Sequence, residues 1–307
     1  KPMKEPQDVP FEKEGQYLKS DNRSNISYFL EHNVLLRRFT LSVGVLANYN
    51  SALNEGIHFY PGIDASFRIG DNVRLYGSWN RALRMPTFTD LYYEGKTNKG
   101  NPDLKPEESE AFEVGLKYNT YFLRAHIAGF YRKGKNMIDW VKEKPEDIWE
   151  SQNLTKVDNL GFETNLSLLP RELGNERFFI RKIELGYAFI HQDKDSEGYI
   201  SNYALDYLKH KFTAQLSHSI WKGFSATWYV RWQDRAGSYT KYENLKPAYE
   251  EPYAPYCLVD MKVNWEYQRL NLYAELNNLL NSTYYDLGNI PQPGIWFKAG
   301  FRYSFKY

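Results

Sequence analysis

IWFKAGFRYSFKY, residues 295–307, is the stretch whose period decides the fold. Ile295, Phe297, Ala299, Phe301, Tyr303, Phe305 and Tyr307 are apolar or aromatic, and between them stand Trp296, Lys298, Gly300, Arg302, Ser304 and Lys306. Successive side chains of an extended chain point to opposite faces, so this stretch predicts a strand with one apolar face and one largely basic or small face. Upstream, Cys257, Val259, Met261, Val263, Trp265 and Tyr267 alternate with Leu258, Asp260, Lys262, Asn264 and Glu266. After a tight turn at Gln268 and Arg269 the alternation resumes through Leu270, Leu272, Ala274 and Leu276, and it is equally clear from Phe224 to Trp232. Residues 212–220, 183–189, 160–168, 121–131, 112–118, 73–79, 57–69, 39–49 and 26–36 repeat it, which makes thirteen predicted strands.

The connections alternate too. Short turns are predicted near 36–38, 70–72, 119–120, 221–223 and 268–269, with a longer one at 170–177. Between them lie long polar excursions at 50–56, 81–108, 132–159, 192–210, 234–254 and 281–294. Short turns on one side and long loops on the other, joined by strands of about ten residues, describe an antiparallel transmembrane β-barrel of the outer-membrane type. A soluble sandwich also alternates, but its strands average about five or six residues.

Composition agrees. The chain is 17% aromatic, with 8 Trp, 26 Tyr and 18 Phe, yet its mean hydropathy is −0.66. Rings gathered at two interfaces, with only alternate residues facing lipid, reconcile those two numbers. No run approaches the ~18 apolar residues of a spanning helix, and residues 1–16 carry no apolar signal segment. A net charge of +1 leaves no excess to grip a nucleic-acid backbone. The single cysteine, Cys257, excludes an intrachain disulfide. The six histidines are dispersed without chelating spacing, so no metal and no cofactor are expected. Ser217 and His218 point to opposite faces, and no other nucleophile–base pair suggests an enzyme. GFYRKGKN at 129–136 approaches a phosphate-binding loop, but Asn136 stands where Ser or Thr would hold magnesium.

The excursion 81–108 reads RALRMPTFTDLYYEGKTNKGNPDLKPEE. It resembles a signature of TonB-dependent outer-membrane receptors. Arg84, Pro86, Thr87, Phe88, Asp90, Leu91 and Tyr92 match its first part, and Gly100, Asn101, Pro102, Leu104, Lys105, Pro106 and Glu107 its second. Asn277, Asn278, Leu279 and Tyr284, before a final strand closing on an aromatic residue, fit the family's ending. Three prolines and two glycines mark the first block as a folded loop, a structural brace of the rim. Combined with Ile138, Asp139 and Trp140, it looks most like the cobalamin receptors of Bacteroidetes-type bacteria; siderophore, haem and oligosaccharide receptors share the same grammar.

The resemblance implies a 22-stranded barrel plugged by an N-terminal domain, of which residues 1–307 would be the C-terminal barrel portion. An odd strand count agrees with such a piece, or with a miscount by one. It further implies partners: outer-membrane lipid, the TonB energy-coupling complex through the N-terminal region, the plug and early strands of the same receptor, and a surface lipoprotein. The ligand, by this reading, meets the aromatic residues of the surface loops: Tyr92, Tyr93, Trp140, Trp149, Tyr239, Tyr242 and Tyr249. Each offers a flat apolar face and a polar edge to a large amphipathic molecule. A passive porin or a scaffold barrel is the other functional class compatible with the strands.

Overall fold

The computed structural model describes residues 22–52, 56–144, 146–174, 177–195, 198–201, 207–243, 246–288 and 290–305. Thirteen strands form the wall: β1 (Asn25–Leu35), β2 (Phe39–Asn50), β3 (Ile57–Arg68), β4 (Val73–Arg84), β5 (Glu107–Asn119), β6 (Leu123–Lys142) and β7 (Trp149–Leu168) come first. They are followed by β8 (Ile180–Asp195), β9 (Leu208–Trp221), β10 (Phe224–Arg235), β11 (Tyr256–Tyr267), β12 (Leu270–Asn277) and β13 (Trp296–Tyr303). Each pairs antiparallel with the next in chain order. Among the described residues β1 pairs only with β2, and β13 only with β12. The described part of the terminal stretch ends its pairing at Tyr303, four residues before the alternation stops.

Two neighbouring rungs show why the strands form. Val263, Ala274 and Ala299 lie side by side across β11, β12 and β13 on the outer face. One residue along, Lys262, Glu275 and Lys298 lie side by side on the inner face, with both ammonium groups on the carboxylate at 2.7 and 2.5 Å. A slip of one residue would drive all three charges into lipid, so register is strongly specified. The outer face stays apolar and exposed, with Phe297 at 62% and Phe301 at 74%.

Rings mark both ends of that band. On the turn side they are Tyr121, Phe179, Trp221, Tyr267 and Phe305. On the loop side Trp79 packs against Phe112, and Phe162, Tyr187, Phe189, His210 and Trp232 form a continuous row. On the inner face, rings lie flat over glycines directly across the ladder: Tyr76 over Gly115, Phe130 over Gly161 and Tyr273 over Gly300. A Cβ at those glycines would fall 2.5, 2.5 and 2.7 Å from the ring atoms.

The turns are tight where left-handed backbone allows it. Lys222 and Gly223 both have positive φ (21° and 85°), closing β9 to β10 in two residues. The long side departs from expectation. β6 and β7 run 20 residues each, so most of the predicted 132–159 loop is strand.

Candidate ligand-facing rim

Arg84 ends β4 directly across from Glu107, the first residue of β5. Its Nε and Nη2 donate to the two carboxylate oxygens at 2.6 and 2.5 Å, a planar fork on a planar acceptor. The same carboxylate accepts from the Ile138 backbone N–H at 2.7 Å, so one acid ties β4, β5 and β6 together. Between Arg84 and Glu107 the chain folds tightly. Thr87 caps α1 (Phe88–Tyr92): its hydroxyl accepts from the Asp90 N–H at 3.1 Å, and the Asp90 carboxylate accepts from the Thr87 N–H at 2.9 Å. The Pro86 carbonyl accepts from Arg23, whose guanidinium also lies 4.9 Å over the Phe88 ring.

The loop then returns across its own helix. The Asn101 N–H donates to the Asp90 carbonyl at 2.9 Å, while Leu91 is buried. A Cβ at Gly100 would come within 2.8 Å of the Leu91 and Tyr92 backbone, so only glycine fits there. Pro102 is exposed, Leu104 and Pro106 are half-buried, and Lys105 exchanges two hydrogen bonds with the Asn153 side chain of β7, at 2.8 and 2.9 Å.

The tall β6–β7 hairpin is held by both of its flanking connections. β6 loses β5 as a neighbour beyond Lys135, and β7 loses β8 beyond Lys156. Asn98–Lys99, from the loop before β5, pairs parallel with Trp149 and Glu150 on the far edge of β7. Ile200–Ser201, from the loop after β8, pairs antiparallel with Lys142 and Val141 on the far edge of β6. Each connection therefore crosses the hairpin before it pairs. The first meets the hairpin on the face that carries Trp140, where Tyr93 packs edge-on at 6.3 Å. The second meets the opposite face, where the Ser201 hydroxyl donates to buried Asp139 and Tyr199 packs against Val141 and Leu154.

Trp140 and Trp149, expected in an irregular loop, thus stand on strands. Both faces of the hairpin are covered there, so the sequence has no alternation to betray it. Lys142 Nζ lies 4.5 Å over the Trp149 ring. Tyr92 is half-buried and stacks on Phe88 at 6.4 Å, while Tyr93 is half exposed.

The remaining predicted aromatics belong to a second assembly. Residues 234–254 contain a hairpin, Ser238–Glu243 against Lys246–Pro252, and residues 281–294 a smaller one, Tyr285–Leu287 against Ile290–Pro291. Neither belongs to the wall sheet. They meet through Tyr239, which packs against Tyr253 at 5.1 Å and Tyr285 at 5.8 Å. Lys241 Nζ lies within 5.8 Å of both Tyr239 and Tyr285 ring centroids and bonds Glu251 at 2.7 Å. That bond pushes the Lys241 ammonium up to about 12 and holds the Glu251 carboxyl below its usual range, while burial and then Glu251 raise the Tyr239 phenol. Tyr242 and Tyr249 project from this hairpin, each about half exposed. Tyr253, Tyr285, Lys241 and Arg235, whose guanidinium lies 5.4 Å over the Tyr253 ring, carry no periodic signal in the sequence. The available signal was the crowding of tyrosines around one lysine and one glutamate.

Below the rim the inner wall carries charges of both signs. A cavity of about 650 Å3 is lined there by Lys117, Arg124, Glu184, Arg231 and Asp260 among others.

Comparison with known proteins places this architecture. Residues 5–279 match the family described as TonB dependent receptor-like, beta-barrel. The chain is 25% identical over 191 residues to the vitamin B12 transporter BtuB of Vibrio vulnificus, covering 57% of this chain and 30% of that protein. It is 22% identical over 297 residues to the ferrienterobactin receptor of Escherichia coli, covering 87% of this chain and 38% of that protein. A crystal structure of the ferric enterobactin receptor of Pseudomonas aeruginosa superposes with a TM-score of 0.72 at 20% identity, over 99% of this chain and 48% of that one. The chain thus spans less than half the length of these relatives. With a period-two wall, a girdled outer face, short turns opposite long connections and a match over most of its length, the chain belongs to the TonB-dependent receptor β-barrel family of the bacterial outer membrane.

Proposed function

We propose that this chain supplies wall, rim and surface loops to a receptor that captures a scarce, bulky nutrient for TonB-driven import, and that the nutrient is a cobalamin or related corrinoid. The observation that carries the reading is the pairing of aromatic and cationic side chains at one end of the barrel: Tyr93 with Trp140, and Tyr239, Tyr253 and Tyr285 around Lys241. Such surfaces suit a large planar ligand bearing polar amides. The likeness to a vitamin B12 transporter supports the corrinoid. The likeness to a ferrienterobactin receptor, over a larger share of the chain, supports a ferric siderophore as the second reading. In the proposed whole, further strands of the same receptor pair with the β1 and β13 edges, a plug docks on the mixed-charge inner wall, and the TonB complex engages a region outside this chain. A surface lipoprotein covering the loops belongs to the same proposal.

The test is a titration of the full-length receptor with cyanocobalamin, a ferric catecholate and haem, followed by intrinsic tryptophan fluorescence. Saturable quenching by the corrinoid alone is the expected result. Quenching by the ferric chelate alone establishes the second reading, and a full-length receptor that binds none of the three refutes both.

A further inference from the structure

Gly77 and Gly129 face the lipid, and neither owes its missing side chain to the backbone or to the barrel. Neither has a positive φ. A Cβ at Gly129 would meet nothing nearer than the Gly161 carbonyl at 3.9 Å, and one at Gly77 would make only ordinary contact at 3.4 Å. The lumen-facing glycines differ, because rings of the barrel itself occupy the space above Gly115, Gly161 and Gly300. Over Gly77 and Gly129 lies an apolar groove of about 680 Å3, walled by Ile63, Trp79, Phe112, Val114, Tyr131 and Leu160.

Charge crowns this groove. One rung nearer the long connections, Arg81, Glu110, Lys133 and Asp158 stand side by side across β4, β5, β6 and β7. The acids are engaged by their neighbours. The Trp79 indole donates to Glu110 at 2.9 Å, the Tyr131 hydroxyl to Asp158 at 2.8 Å, and Arg81 faces Glu108 at 3.6 Å. The aromatic shelf thus spends its polar edges on carboxylates, and the exposed ammonium groups of Lys133 and Lys135 stand on the same outer face above it.

We propose that this is a seat for one lipid of the leaflet on the long-loop side: an alkyl chain lies in the groove over Gly77 and Gly129, and a head-group phosphate rests on Lys133 and Lys135. The acids of this mixed rim are held by indole, hydroxyl and guanidinium donors, which leaves the exposed Lys133 and Lys135 ammonium groups to meet a phosphate-bearing amphiphile, and a side chain at either glycine would displace its alkyl chain. The site lies on the outside of the barrel and is independent of the nutrient it imports.

The experiment is native mass spectrometry of the full-length receptor extracted from outer membranes in mild detergent, with fold checked by heat-modifiable migration. The native protein should retain one phosphate-bearing lipid per chain. Gly129→Leu, which fills open space, should lower retention about tenfold, and Lys133→Glu with Lys135→Glu should do the same; Ala299→Leu, on the lipid face of β13, should leave it unchanged. Retention that is absent in the native protein, unaltered by Gly129→Leu in a folded barrel, or lowered equally by Ala299→Leu overturns the proposal. So does a retained lipid without phosphate.

Discussion

Two loop systems rise from the same rim and are built in opposite ways. The β6–β7 hairpin is joined to its flanking connections by backbone ladders on both edges, with the Arg84–Glu107 fork at its foot. Among the described residues the hairpins within 234–254 and 281–294 pair only with themselves, and they meet through the Tyr239 and Tyr285 rings and the Lys241 ammonium over Tyr285. Backbone ladders are directional and all-or-none, whereas stacked rings tolerate sliding. The first system is therefore scaffold, and the second is the one whose contacts leave it freer to change shape.

The largest effect that would break this contrast is expected from Glu107→Ala. It removes both bonds from Arg84 and the acceptor of the Ile138 N–H, at a local cost of about 3 kcal/mol. Hydrogen exchange should accelerate at 84–107 and 137–142 and stay unchanged at 238–252. Exchange that is uniform across both regions would remove the distinction.

Gly100→Ala comes next. Its Cβ collides with the Leu91 and Tyr92 backbone, which must shift. A cost of about 1–3 kcal/mol is expected, read as proteolytic nicking within 88–106 of an otherwise folded barrel. Resistance equal to that of the native chain would mean that the loop is too loosely folded to serve as scaffold.

Tyr239→Ala should cost less, about 0.5–1.5 kcal/mol for each aromatic pair it breaks. Exchange should rise at 238–252 and 285–291 together, because Tyr239 packs against both hairpins. A rise confined to 238–252 would show that the two hairpins are not coupled.

The smallest effect is that of pH. Glu251 is held below the ordinary carboxylate range, so what it adds to the order of the hairpin is present above that range and is lost as pH falls through its depressed value. Lys241 is raised, so its share persists until pH climbs through about 12. Hydrogen exchange at 238–252, corrected for its intrinsic pH dependence, should be flat across neutral pH and rise only in acid. A rise already between pH 6 and 8 would assign the order of the hairpin to other groups.

The thirteen wall strands were legible because each buries nothing but a side-chain period of two, and the family likeness was legible in Arg84 to Glu107. The upper half of β6 was not. There Ile138 and Trp140 share one face while Asp139 and Val141 share the other beneath Tyr199 and Ser201, so a charged residue and an apolar one lie side by side under cover and polarity does not alternate. The Tyr239 cluster was hidden for a different reason. Its members lie up to about fifty residues apart and meet only after two loops have folded, and no local pattern encodes that meeting. Two glycines carry information that periodicity does not reach: at Gly100 and Gly288 a Cβ would strike the backbone of α1 and the Tyr239 side chain respectively, so they mark close approaches in both systems.

The crossed attachment of the β6–β7 hairpin also orders events in time. Asn98–Lys99 must find Trp149 some fifty residues ahead, and Ile200–Ser201 must find Val141 some sixty residues behind. Neither edge exists until the local hairpin has zipped to its full height, and local pairing is the faster step. The two connections then settle on opposite faces, so neither blocks the other. A chain whose flanks closed first would have no edge to close upon. The hairpin is in that sense a template, and the rim sets only after the wall beneath it has formed.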